Sequence, residues 1–160
     1  MLGTSPTVYG QEAKADLYLL LTEADSVQIA SHEDLHYSQK VKPFKSWWHQ
    51  LVENGKVNDT IIKERTNLDK VSVQELYKAL TIVDGDPDFG AACFNPHHAI
   101  FIYKNGELVV LDICFECNGY SATSRITKIL ATFESYKAVA DFFRKHKILY
   151  KLPPVGMYGY

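Results

Sequence analysis

Ala99-Ile-Phe-Ile-Tyr103, Lys104-Asn-Gly-Glu107 and Leu108-Val-Val-Leu-Asp-Ile113 are the stretch whose reading decides the fold. Both outer runs are rich in β-branched and aromatic residues, which favour strands. Asn105-Gly106 between them is the strongest short-range signal for a two-residue type I′ turn. Pairing Lys104 with Glu107 sets Phe101 opposite Val110 and Ala99 opposite Asp112, and extends to place His97 opposite Cys114. Side chains alternate along a strand. Cys93, His97 and Cys114 are therefore expected on one face, and His98 on the other with Ile100 and Ile102. A one-residue slip would exchange the two histidines. Both faces of the hairpin are apolar, so cover is expected on both sides.

Outward from the hairpin lie Cys93-Phe-Asn-Pro-His97-His98 before it and Cys114-Phe-Glu-Cys117 after it. These two flanks hold all three cysteines of the chain and two of its six histidines. Three readings compete. The first is a disulfide, most simply Cys93–Cys117 across the open end of the hairpin, leaving Cys114 free. The second is a zinc site of three thiolates, with His97 or His98 completing a tetrahedron; Cys114-x-x-Cys117 has knuckle-like spacing. The third is a redox-active Cys-x-x-Cys, which usually needs its first cysteine at a helix N-terminus. Here the pair follows a strand, so a structural site, disulfide or metal, is favoured over redox catalysis. Residue 118 is Asn, which excludes haem attachment.

Farther out, residues 17–21 and 26–30 flank Glu23-Ala24-Asp25 and read as a first hairpin. Pro43 to Glu53 carries Phe44, Trp47, Trp48 and Leu51 at helical spacing, with Gly55 just beyond, and reads as an amphipathic helix. Residues 60–66 read as a strand. Ser72-Val-Gln-Glu75 reads as a capping box opening a helix through about Thr81. Ser124 to Ala131 reads as a strand and Phe133 to Lys145 as a helix. The acids of Asp84 to Gly90 lack the spacing of a calcium loop and read as a solvated turn. The expected architecture is an α+β domain around an antiparallel sheet, with a central hairpin of about residues 98–114, about six strands and about three packing helices.

His32-Glu-Asp-Leu-His36 matches the His-Glu-x-x-His pattern of zinc proteases, in which a helix sets both imidazoles on one face. The motif follows a strand directly and helix periodicity is poor around it, so it is expected not to bind zinc. No Gly-rich phosphate loop and no Gly-x-Ser-x-Gly elbow is present. A Cys–His nucleophile would draw on Cys114 and His97, but nothing else marks a protease or transferase.

The chain has 160 residues, 46% hydrophobic and 22% charged, with a formal net charge of −2. This bounds a single domain with a real core. The charge provides no electrostatic case for nucleic acid or anionic membrane. No segment reaches the ~20 apolar residues of a transmembrane span. Residues 1–10 are uncharged and unpatterned, with Val8 and Gly10 at the −3 and −1 spacing of a signal-peptidase site before Gln11. They read as the remnant of a secretory signal or a disordered tail, with one α+β domain over 11–160. An exported chain, periplasmic or extracellular, meets an oxidising compartment; the alternative is a cytoplasmic one.

Residues 91–148 resemble a set of small uncharacterised exported proteins of Bacteroidetes-type bacteria. The residues that carry the resemblance are Cys93, Pro96 with His98, and Ile113-Cys114-x-x-Cys117, flanking a hairpin and followed by a helix. The resemblance supports export and picks out Cys93, Pro96, His98, Cys114 and Cys117, but brings no established activity. The expected function is an exported, non-enzymatic domain, binding or envelope-associated, with a structural Cys/His cluster. The alternative is a zinc-binding or thiol-dependent enzyme that uses Cys93, His97, His98, Cys114 and Cys117.

Overall fold

The structure is a computed structural model that describes residues 17–39, 45–48, 50–85, 94–122, 126, 129–155. Along the chain come a helical segment at 17–22 (α1), β1 (Ser26–His32), β2 (His36–Gln39), β3 (Lys45–Trp48), β4 (Val52–Glu53), β5 (Lys56–Val57) and β6 (Ile62–Asn67). They are followed by α2 (Lys70–Leu80), β7 (His98–Lys104), β8 (Glu107–Cys114), β9 (Gly119–Ala122) and α3 (Phe133–Lys145).

Asn105 and Gly106 take φ of 52° and 78°, the left-handed pair of a type I′ turn. The hairpin they close has the expected register, with Lys104 opposite Glu107, Phe101 opposite Val110 and Ala99 opposite Asp112. It lies at the centre of a five-stranded antiparallel sheet ordered β6-β1-β7-β8-β9. Two small two-stranded sheets, β2-β3 and β4-β5, complete the strands among the described residues.

Alternation gives the central strands two buried faces. On one face Val27, Ile29, Ile100, Ile102, Leu111 and Ile113 meet Leu17 and Leu21 of α1, Val73, Leu76 and Leu80 of α2, and Val139 and Phe143 of α3. On the other, Ala30, Ala99 and Phe101 meet Leu51 and Ile61 from the segment around β4 and β5. The α+β class, the antiparallel sheet and its central hairpin are as the sequence indicates.

Four local readings are corrected. Residues 17–22 are helical, not a strand. Leu17 and Leu21 are buried while Tyr18 and Leu19 are exposed, the i, i+4 pattern of a helix in a run too short for periodicity alone to arbitrate. Pro43 to Glu53 is not one helix, since Lys45–Trp48 pairs with β2 and Val52–Glu53 with β5. Asn54 and Gly55, at φ 50° and 74°, form a second Asn-Gly turn where a helix C-cap was expected. Helix α2 starts before Ser72, because the Asp69 side chain accepts from the Ser72 backbone N–H and caps it. The strand expected at Ser124 to Ala131 is displaced to Gly119–Ala122; residues 126 and 129–131 are not in a strand, and 123–125 and 127–128 lie outside the described residues. Helix α3 keeps its expected bounds, capped by a reciprocal Thr132–Ser135 box.

The register places chemistry at one end of the sheet. Ser31 stands opposite His98, and His98 opposite Ile113. The end of β1, the start of β7 and the end of β8 therefore meet. Glu64 Oε2 accepts from the Leu149 and Tyr150 backbone N–H groups at 2.8 and 2.9 Å and from the Ser31 hydroxyl at 2.6 Å. Those bonds pin the segment after α3 to the same end.

Candidate functional site

At the open end of the hairpin, Cys114 closes β8 and pairs with Gly119 at the start of β9. The intervening turn curls Cys117 back to a Cα separation of 5.5 Å from Cys114, and the two sulfurs lie at disulfide distance. Both cysteines are buried, 3% and 4% exposed. A Cβ on Gly119 would approach the Phe94 ring at 3.2 Å and Cys117 Sγ at 3.7 Å. The absence of a side chain there lets the Phe94 ring and the bridge close on the backbone. Cys117 thus has Cys114 as its partner in place of the expected Cys93. Cys93 lies outside the described residues, and with Cys114 and Cys117 paired it is the remaining thiol of the chain.

His97 and His98 part company. His98 points to the helical face, as its register predicts, with its ring centroid 5.0 Å from that of Phe115 and 5.5 Å from that of Phe143. It is 1% exposed, and its Nε2 has no hydrogen-bond partner. Burial, reinforced by the neighbouring His32 and His97, holds its pKa down to about 3 against a hydrogen bond to the Tyr150 backbone. A neutral ring among aromatic rings follows.

His97 is also buried, but its Nε2 contacts Asp34 Oδ1 and stands 3.2 Å from Lys151 Nζ, which donates to the same Asp34 oxygen at 2.8 Å. The Lys151 hydrogen bond first, and His97 after it, outweigh burial and hold the Asp34 carboxyl at about 2. Asp34 in turn raises the Lys151 ammonium. Lys151 and Asp34 are partly exposed, at 39% and 41% of their side chains.

His32 is wholly buried beside it, its ring centroid 6.3 Å from that of His97. Its Nδ1 stands 2.8 Å from the Glu33 carbonyl oxygen and its Nε2 2.9 Å from Asp112 Oδ1. A carbonyl only accepts, so Nδ1 is the donor of the first of these bonds. The two residues are 80 apart in sequence and lie on strands separated by β7, where Ala99, opposite Asp112, leaves room for the ring to cross.

The His32-Glu-Asp-Leu-His36 motif is dismantled by this geometry. His32 ends β1 and His36 opens β2, so no helix aligns them. Glu33 pairs with Lys63, and Asp34 with Lys151 and His97. Both His32 ring nitrogens are engaged. Among the described residues, no group of three or more His, Cys, Asp or Glu side chains is disposed around a common metal position.

Of the expected site residues, the fold joins Cys114 to Cys117, sets His98 in an aromatic core and gives His97 to an ion-paired surface cluster. Sequence reading missed Asp34, Asp112, His32 and Lys151 as partners. One signal was present: Asp112 is the lone acid in the apolar run Leu108 to Ile113, and buried charges are paired. No family model, no curated protein and no solved structure matches the chain.

Proposed function

We propose that this chain is an exported, non-enzymatic α+β domain, binding or envelope-associated, in which the Cys114–Cys117 bridge is a structural clamp on the β8–β9 turn. The observation that carries this reading is the pairing of two cysteines that are both buried. Disulfides persist in oxidising compartments, and exchange needs an accessible sulfur. A strand-to-turn setting lacks the helix N-terminus that activates redox Cys-x-x-Cys pairs. A bridged pair also offers no thiolate to zinc. The resemblance of residues 91–148 to small exported proteins of Bacteroidetes-type bacteria supports the same compartment. His97 and His32 are each held by a carboxylate, which suits a role in fixing the end of the sheet.

The test is a thiol count with metal analysis on protein purified without reductant from the periplasm or medium. The expected result is one free thiol of the three when denatured, three after reduction, and no stoichiometric zinc. Reduction, or Cys117→Ser, removes closure of a four-residue loop, which the chain-entropy relation values at about 2 kcal/mol. Three free thiols with a bound zinc would replace this reading by a metal site. Three free thiols without metal would remove the case for export.

A further inference from the structure

We infer that the Cys114–Cys117 bridge and the segment of residues 149–151 form a redox-sensitive latch: the segment stays closed on the end of the sheet while the bridge is intact, and is released when the bridge is reduced. This rests on the bridge of the proposed function, and on no particular compartment or partner.

The segment is anchored at its flanks and held only by polar groups between them. Ile148 is buried, and its N–H donates to the Phe143 carbonyl at 3.0 Å. Pro153 is buried, and its carbonyl accepts from Arg144 Nη2 at 2.6 Å. Leu149 and Lys151, between these anchors, are exposed. Carboxylates from β6 and from the β1–β2 connection hold this stretch down: the Leu149 and Tyr150 N–H groups donate to Glu64 Oε2, and Lys151 Nζ donates to Asp34 Oδ1. A stretch held by partly exposed polar contacts opens at a lower free energy than the core.

The bridge reaches the segment through the two residues that it encloses, Phe115 and Glu116. Phe115 is buried, with its ring centroid 5.0 Å from that of His98 and 5.6 Å from that of Phe143. A hydrogen bond joins the His98 ring to the Tyr150 backbone. Glu116 is exposed, and its charge acts on the Lys151 ammonium. Each enclosed residue therefore bears on a different residue of the segment. The intact bridge fixes the backbone of the turn, and with it the Phe115 ring and the Glu116 carboxylate. Reduction restores that freedom. Two electrons and two protons pass from a dithiol to the bridge, which becomes two thiols, and the dithiol closes into its own disulfide. Phe115 then no longer fixes His98 against Tyr150, and Glu116 no longer faces Lys151. Release frees Lys151 from Asp34 and His97 and uncovers His98, so the two redox states present different surfaces at this end of the sheet.

The experiment is amide hydrogen exchange of the ¹⁵N-labelled full chain, oxidised and after reduction with dithiothreitol, with a thiol count on each sample. The expected result is exchange at Leu149 and Tyr150 about five- to 150-fold faster in the reduced chain, the usual range for coupling between two sites. The internal control is Asn105 at the other end of the hairpin, whose N–H donates to the Asp25 carboxylate at 2.8 Å and should keep its rate. Cys117→Ser cannot form the bridge and should reproduce the fast rates without reductant. The inference is overturned if Leu149 and Tyr150 exchange alike in both states, or if Cys117→Ser folds natively and keeps the slow rates. It is also overturned if Asn105 speeds up by the same factor or if reduction unfolds the whole chain, because the bridge would then act on global stability alone. Each of those results leaves the bridge itself in place. A count of three thiols before reduction removes the bridge, and with it both this inference and the clamp.

Discussion

His97 and His98 are consecutive and chemically opposite. Alternation sends one ring to a carboxylate and an ammonium and the other to two phenylalanines. The buried ring has a pH consequence. In the unfolded chain His98 takes up a proton below about 6.5; in the fold it stays neutral down to about 3. The unfolded state therefore binds more protons across that interval. The stability His98 contributes is complete above pH 6.5 and declines as the pH falls toward 3, by up to about 1.4 kcal/mol per pH unit. His98→Leu should flatten that slope, whatever its effect at neutral pH, and urea midpoints from pH 7 to 4 for both chains measure it. Equal slopes would show that His98 is not the group responsible. Asp34 acts in a lower window: its pKa is depressed to about 2, so its contribution is present above about 3.8 and lost as the pH falls through 2. Its partial exposure keeps that contribution small.

At the scale of elements, the central hairpin is determined by two residues. Both Asn105 and Gly106 occupy the left-handed region, and a Cβ built on Gly106 meets nothing within 4 Å. The cost of Gly106→Ala is then backbone strain alone, about 1–2 kcal/mol, and should appear as a shifted denaturation midpoint with an unchanged slope. A larger loss would mean that the turn carries contacts beyond its own dihedrals. Helix α3 rests on a different local device. The buried Thr132 caps it reciprocally with Ser135, and Thr132→Ala should remove about 0.5–2 kcal/mol. Thr132→Ser, which keeps the hydroxyl, should recover most of that loss in the same denaturation assay. The misread elements are short ones. Residues 17–22 hold one apolar turn, and Lys45–Trp48 and Val52–Glu53 are strands of four and two residues. At that length helix and strand patterns overlap, and the outcome depends on what the segment packs against.

For the whole molecule, the sheet is covered on both faces. Phe101, fully buried, anchors the smaller core with Ala30, Ala99, Leu51 and Ile61. Phe101→Ala should cost about 3–5 kcal/mol, measured by urea unfolding. A loss under about 1 kcal/mol would mean that the smaller core collapses around the gap or contributes little, since a cavity costs by how poorly its surroundings close. Among the described residues no helix is long and apolar enough to cross a membrane.

By itself the sequence determined the hairpin of residues 98–114 and its register, the face that each residue takes on it, helix α3, and the antiparallel α+β class. Turn dihedrals, side-chain alternation and capping act over a few residues, so a linear reading reaches them. Only the tertiary structure decided that Cys117 pairs with Cys114 and that His32 meets Asp112 across β7. It also decided that Lys151 closes on Asp34 and His97, and that residues 17–22 form a helix. Each depends on which strands become neighbours and how the chain returns after α3. Those choices are made by burial of the whole core, and no short window of residues contains them.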